Sequence, residues 1–334
     1  MIKNFLKNFF LFFFSTILIL LFIELGLRLA GEKPRYLYDI SKNEVITNEE
    51  DIRLGWIPKI GRHKFEPWAK KGKRTFLTIN EDRSRFTGSK STNLEKIIFI
   101  GGSITQGWAI NDDETFSYLL QKNDLNHKVF NFAVGGYGGY QSLLALEKVL
   151  ENKQKVKNVI YGFIPHHEVR NVAAGSWQYL LNTMSNRGFV RLPYASLGNE
   201  KELVHNKNSV YVKIPFGQYS SLLAKIEKRI MKIKSSSREK DQTKISLKII
   251  KKMNDLTLKK NGKFILLVLE DFNDNRSLEY NNFLKTNNIS SIKCLLPKGE
   301  EYEVPGEGHP NGSSHSIIYK CIQKKLNEKL EDKI

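Results

Sequence analysis

Ser103 is the first polar side chain after the run Lys96-Ile97-Ile98-Phe99-Ile100-Gly101-Gly102. The apolar residues ahead of it predict a short, fully buried strand, and the two glycines predict a tight turn at its end. A buried parallel strand that stops in Gly-Gly-Ser delivers a hydroxyl to the carboxyl edge of its sheet, where open α/β folds bind their ligands. Such a serine can serve as a nucleophile when a base takes its proton. It can equally well start or cap a helix. Far along the chain, the stretch Glu307-Gly308-His309-Pro310-Asn311-Gly312-Ser313-Ser314-His315 holds a histidine in a glycine-rich loop, with an acid two residues before it. That pattern suits a general base carried by a loop onto a nucleophile elsewhere in the fold. The chemistry predicted is nucleophilic acyl transfer, with the Ser103 backbone N–H as one donor to the oxyanion.

Three blocks, at 99–107, 131–141 and 303–315, resemble those of the SGNH (GDSL-like) hydrolases in their order and spacing. They are more similar to the membrane-anchored branch, whose nucleophile block reads Gly-Gly-Ser and whose last block reads acid-Gly-His-Pro-Asn. The resemblance runs from roughly Leu54 to Leu326. It implies an α/β three-layer sandwich with a mostly parallel central sheet, flavodoxin-like, and a serine esterase working through an acyl-enzyme. Ser103 would be the nucleophile and His309 the base. Glu307 would orient His309 where the family usually has aspartate, with Glu303 or Glu301 as alternatives. The second block, Asn131-Phe132-Ala133-Val134-Gly135-Gly136-Tyr137-Gly138, puts Gly136 where the resemblance implies an oxyanion donor, with Asn131 tying the turn.

The third block departs from the branch. Phe163-Ile164-Pro165-His166-His167-Glu168 places His167 where an oxyanion-hole asparagine is usual and Glu168 where an aspartate is usual. A histidine N–H can donate to an oxyanion, so the role is transferable; Asn171 is the other candidate. His315 falls at a position the resemblance makes supportive. The substrate class implied is an acylated carbohydrate or a lipid-linked ester, with partners in envelope biosynthesis. Two other functions fit the same residues. One is O-acyl transfer to an extracytoplasmic polysaccharide, in which a sugar hydroxyl intercepts the acyl-enzyme. The other is a catalytically degenerate SGNH domain acting as a glycan-binding or assembly subunit.

Other chemistries find less support. His166, His167 and Glu168 are adjacent and cannot readily chelate one ion, and the chain has neither His-Glu-x-x-His nor a cysteine pair of metal-binding spacing. Gly101 to Gly107 lacks the Gly-Lys-Ser/Thr of a P-loop, and Thr105 replaces the last glycine of a Gly-x-Ser-x-Gly elbow. No metal and no cofactor are expected.

The elements needed to position these residues can be read from hydrophobic periodicity. Lys96–Ile100, Lys128–Asn131, Val156–Ile164, Phe264–Leu269 and Ile289–Leu296 predict five strands. Helices are predicted over Asp112–Gln121, Gln141–Leu150 and Ile245–Leu258. A closing helix carries Ile317, Ile318, Cys321, Ile322 and Leu326 on one stripe. This alternation argues for a doubly wound α/β domain. Leu54–Pro58 and Thr75–Asn80 read as turn and edge-strand material that extends or covers the sheet, and Gly88–Asn93 as a polar linker. From Pro165 to Lys244 the rhythm breaks. Val210–Ile214 predicts a strand, Tyr219–Ile233 a basic amphipathic helix and Ser235–Gln242 a polar loop. That insertion is either a lid or membrane-facing element, or a solvated excursion.

At the N-terminus, Phe9 to Ile23 is apolar except for Ser15 and Thr16, and extension from Leu6 to Leu27 reaches the length of a span. Lys3 and Lys7 precede it. No small-x-small cleavage site is evident, so an uncleaved signal anchor is preferred to a removable signal peptide. The organisation expected is an anchor at 1–30, an extension at 31–94 and an SGNH-like domain at 95–330 with an insertion at about 165–244. The protein would be single-pass, with the catalytic domain extracytoplasmic. The chain of 334 residues carries 53 basic and 35 acidic residues, a net charge of +18. The lysines lie on predicted surface helices without aromatic interleaving, which fits an anionic membrane or glycan better than nucleic acid. Cys294 and Cys321 are read as two buried free thiols.

Overall fold

The computed structural model describes residues 2–35, 47–89, 94–124, 126–184 and 190–331. Most of the expected linker at 88–93, part of the N-terminal extension and residues 185–189 of the insertion lie outside the described residues. The N-terminal part contains helix α1 (Ile2–Leu29), strands β1 (Asn48–Asp51), β2 (Gly55–Pro58), β3 (Gly61–Phe65) and β4 (Thr75–Ile79). Then come β5 (Glu95–Gly101), α2 (Ser103–Gln106), α3 (Phe116–Asn123), β6 (His127–Asn131), α4 (Gly139–Asn152) and β7 (Val156–Phe163). The middle stretch holds α5 (His167–Asn171), α6 (Gly175–Met184), β8 (Arg191–Leu197), β9 (Leu203–Val210) and α7 (Ser221–Glu239). The chain closes with α8 (Gln242–Leu258), β10 (Lys263–Val268), α9 (Arg276–Thr286), β11 (Ser290–Lys293) and α10 (Gly312–Glu331).

Five strands form one parallel sheet in the order β11-β10-β7-β5-β6. The α/β class and the parallel sheet read from the sequence are the ones observed. β5 lies inside the sheet between β7 and β6, and its Ile97 to Ile100 are all buried, as strands covered on both faces must be. Alternate residues serve alternate layers. Ile97 and Phe99 join Val129, Ile160, Ile265 and Leu267 in a cluster with Phe116 and Leu120 of α3 and Ile318 and Ile322 of α10. Ile98 and Ile100 point the other way, where α4 and α8 pack on the sheet. Of the predicted stripe on α10, Ile317 is exposed, because it falls about a third of a turn from Ile318 and Ile322.

The extension forms two antiparallel hairpins, β1 with β2 and β3 with β4. Arg85 bridges Ile79 on one side and Asn131 of β6 on the other, so the extension meets the edge of the sheet.

Three expectations need correction. Residues 211–214 are not a strand. There the Ile214 N–H goes to the buried carboxylate of Glu227 instead of to a neighbouring strand, and the same carboxylate accepts from the Tyr211 hydroxyl. The ladder forms earlier, between β8 and β9. The predicted loop at 235–242 is largely helix, since Ser235 is buried and its hydroxyl bonds the Met231 carbonyl and accepts from Gly175 N–H. Cys294 and Cys321 form a disulfide, with Cα atoms 5.8 Å apart. The strand end and the inner side of α10 bring them within the bridging range, which a separation of 27 residues does not disclose.

By contact density the chain divides into two units. The described part of the first comprises 2–35, 174–184, 190 and 210–236; the second holds the parallel sheet. In the first, α1 is the one described helix long and apolar enough to cross a membrane, and its apolar stretch is unburied.

Candidate active site

The site is assembled at the carboxyl end of β5. The strand ends at Gly101, and Ser103 opens the short helix α2. Gly101 has φ +151°, and a Cβ there would come within 2.6 Å of Thr105 Oγ1 and 2.9 Å of the Gly162 carbonyl. At Gly102 the restriction is space. A Cβ would lie 2.9 Å from His167 Nε2, 3.1 Å from the Tyr137 carbonyl and 3.2 Å from Arg170 Nη1. A larger second residue would have to displace the His167 ring and press on the Tyr137 carbonyl and the Arg170 guanidinium.

Ser103 Oγ lies 2.9 Å from His309 Nε2. His309 Nδ1 is 2.7 and 2.9 Å from the two carboxylate oxygens of Glu307, and the His309 backbone N–H donates to the same carboxylate at 2.8 Å. The intervening Gly308, at φ +87°, folds the loop back so that Glu307 meets its own near neighbour. Glu303 and Glu301 are exposed and offer backbone carbonyls to Asn311 Nδ2. Serine, imidazole and carboxylate thus stand in line at hydrogen-bonding distance, an arrangement able to generate a serine nucleophile.

Two segments border the turn that carries Ser103. Val134 N–H donates to the Gly101 carbonyl, which holds the glycine turn beside the turn that carries Ser103. Within that turn, Gly135 N–H donates to Gln106 Oε1, Gly135 O accepts from Trp56 Nε1, and Tyr137 O accepts from Arg170 Nη1. Gly136, at φ +82°, is partly exposed, and among the described residues its N–H has no acceptor. The same holds for the Ser103 N–H in the first turn of α2. Asn131 is fully buried; its amide donates to the Thr105 carbonyl and to Ser117 Oγ and accepts from Ala133 N–H, locking α2 against β6.

His167 is buried, with Nδ1 2.7 Å from the Tyr161 hydroxyl and Nε2 facing Gly102. Burial and, after it, the Arg170 charge hold its pKa well below the ordinary value, so the ring is neutral. In the tautomer whose Nδ1 accepts from the Tyr161 hydroxyl, Nε2 carries the hydrogen and faces the turn that carries Ser103. Asn171 is committed elsewhere: it accepts from Tyr140 N–H at 2.8 Å and donates to Ser246 Oγ at 2.8 Å. Glu168, fully buried, accepts from the Tyr280 hydroxyl and pairs with Arg276, tying α5 to α9. His315 stacks on Phe116 and accepts its backbone N–H at 3.3 Å, so it satisfies an orphan donor at the start of α3.

Burial pushes His315 down to about 3. Because this folded-state value lies below the unfolded value of 6.5, the unfolded chain binds more protons once pH falls below 6.5. Its contribution is complete above 6.5 and is lost as pH falls towards 3. A thermal-melt series is expected to show Tm falling between pH 7 and 4.5, with a smaller fall in His315→Gln. An unchanged pH slope in that variant would contradict the assignment.

Arg85 was not foreseen, since a lone arginine in Ser-Arg-Phe-Thr reads as surface. Its side chain is fully buried. Nη1 donates to the Gln106 and Gly107 carbonyls, Nη2 to Ile110 O at 2.7 Å, and Nε to Asp112 Oδ1 at 3.3 Å. Burial pushes the guanidinium down to about 10, opposed by Asp112, so it stays charged at neutral pH. The fork clamps the segment leaving α2. Arg85→Met leaves those carbonyls and Asp112 without their partner, and a loss of about 3–5 kcal/mol is expected in urea unfolding. A loss under about 1 kcal/mol would contradict the clamp.

No protein-family model matches the sequence, and no curated protein matches it. Solved structures do. The crystal structure of TesA has 10% identity and a TM-score of 0.41, covering 70% of this chain and 98% of its own. The psychrotrophic esterase EstA from Pseudoalteromonas sp. has 10% identity and a TM-score of 0.42, covering 71% and 99%. The acetyl xylan esterase Est2A from the rumen bacterium Butyrivibrio proteoclasticus has 13% identity and a TM-score of 0.42, covering 74% and 67%.

Proposed function

We propose that the protein is a membrane-anchored serine esterase of the SGNH type, acting through an acyl-enzyme on an O-acylated glycan or a lipid-linked ester. The observation that carries this reading is the line Ser103 Oγ–His309 Nε2 at 2.9 Å with Glu307 on Nδ1 at 2.7 Å. In this mechanism Ser103 Oγ attacks the ester carbonyl carbon while His309 Nε2 takes its proton. The oxyanion that forms accepts the Ser103 and Gly136 N–H groups and His167 Nε2–H. His309 then gives its proton to the departing alkoxide, leaving Ser103 acylated. Water, deprotonated by His309, repeats the attack and releases the acid. Glu307 keeps Nδ1 protonated and favours the imidazolium at each step.

Trp108 supports a substrate with an apolar face or a short acyl group. Its backbone N–H donates to Ser103 O, and its ring lies against Gly135 beside the proposed oxyanion donor. The unburied apolar surface of α1 supports anchoring. The Cys294–Cys321 disulfide supports an oxidising, extracytoplasmic compartment for the catalytic part. The test is incubation of purified protein with an acetyl ester, with and without an oligosaccharide acceptor. Free acetate that depends on Ser103 is expected in both. Acetylated acceptor with little free acetate would replace esterase by acyltransferase. Acceptor binding with no acyl chemistry would leave a glycan-binding domain.

A further inference from the structure

We propose that α7 is a membrane-surface helix whose outer face lies on a bilayer carrying anionic headgroups. The inference rests on α1 being the anchor, and it concerns only the unit that contains α1. Within that unit α7 has two faces. Ser221, Ala224, Glu227, Met231 and Ser235 are buried at helical spacing. Glu227 is the hub of the inner face, accepting from Arg35, Tyr211 O–H and Ile214 N–H.

On the opposite side, at about half a turn, runs a second apolar stripe of Leu222, Ile226 and Ile233. Ile226 is 41% exposed and Ile233 62%, which a helix packed on one side only does not require. Just ahead of the helix, Phe216 and Tyr219 are also largely exposed, at 67% and 69%. Lys225, Arg229 and Lys232 are exposed along one flank of the stripe, Lys225 pairing with Glu32 at 2.9 Å, while the acid of α7 within this stretch, Glu227, is turned inwards and paired with Arg35. An exposed apolar stripe bordered by cations is the pattern of helices that lie in a membrane interface.

Continuity with α1 selects lipid as the occupant. Glu24, in the last two turns of α1, accepts from Ser221 N–H, Leu222 N–H and Ser220 O–H, so α1 itself caps the N-terminus of α7. Arg28 donates to the Tyr219 carbonyl. If the apolar residues of α1 up to Ile23 fill the hydrocarbon layer, Glu24 stands at its boundary and the first turn of α7 starts there. Phe216 and Tyr219 then sit at the level where aromatic side chains collect, and the cations meet the headgroups.

The test uses full-length protein in nanodiscs of phosphatidylglycerol and phosphatidylcholine. Without reductant the native cysteines stay paired, and an environment-sensitive fluorophore is attached to Ile233→Cys or, separately, to Leu18→Cys. Brominated lipids then report contact with acyl chains. Both labels are expected to be quenched, Leu18 by deep and Ile233 by shallow bromines, about 5–10 Å into the interface. The Ile233 signal is expected to weaken when phosphatidylglycerol is omitted or when Lys225, Arg229 and Lys232 are changed to glutamine. Quenching at Leu18 without quenching at Ile233 would overturn the proposal and leave the anchor standing. A blue-shifted but unquenched Ile233 label would overturn it in favour of a protein surface. Absence of quenching at both would remove the anchor reading and the proposal together.

Discussion

Replacing His309 with alanine is expected to lower kcat/KM for an activated acetyl ester by roughly 10⁶-fold, the scale of loss when a serine hydrolase is deprived of its base. Two side-chain partners meet the ring, Ser103 Oγ and the Glu307 carboxylate. Its side chain is 32% exposed, so its removal opens no closed cavity. Stability should therefore move by no more than about 1 kcal/mol. The combination of lost rate and kept fold distinguishes a base from a packing residue. Initial rates and urea midpoints on one preparation measure both. Activity within about tenfold of wild type, a change of only about 1.4 kcal/mol in barrier, would mean that another group takes the serine proton.

Glu307→Gln is expected to cost about 10⁴-fold in kcat, with KM little changed. An amide can still accept one hydrogen bond, but it brings no charge to stabilise the imidazolium. The carboxylate is fixed by its bond from the His309 backbone N–H as well as by the ring contact. That double attachment gives Glu307→Asp a definite expectation. Shortening the side chain pulls the carboxylate from the ring by a fraction of the loop's width, and a misplacement near 1 Å costs on the order of 10²-fold. Steady-state kinetics on the pair should rank glutamate, aspartate and glutamine in descending order. Equal losses for aspartate and glutamine would place the requirement on side-chain length rather than on charge alone.

The central sheet was legible because its strands are buried on both faces, so Ile97 to Ile100 read as a continuous apolar run. Ser103, His309 and Glu307 were legible for a different reason: glycines punctuate both loops, and Glu307 reaches His309 across one intervening residue. Contacts that link distant segments left no local trace. The Arg85 clamp spans 21 to 27 residues and uses mostly main-chain carbonyls, which every sequence has. The disulfide depends on where β11 ends against α10, which no periodicity reports. Val210 to Ile214 misled because its alternation is that of a strand, whereas a buried carboxylate takes its hydrogen bonds. The crowding beside Gly102 also needed the fold, since the His167 ring, the Tyr137 carbonyl and the Arg170 guanidinium that border it come from distant segments.

Active-site labelling tests the central claim most directly. Full-length protein treated with a fluorophosphonate probe, digested and analysed by mass spectrometry should carry the phosphonyl group on Ser103 and on no other residue. Ser103→Ala should carry none, and His309→Ala should be labelled far more slowly. Labelling of Ser103→Ala to the wild-type extent, or a folded wild-type protein that resists the probe, would contradict a Ser103 nucleophile activated by His309.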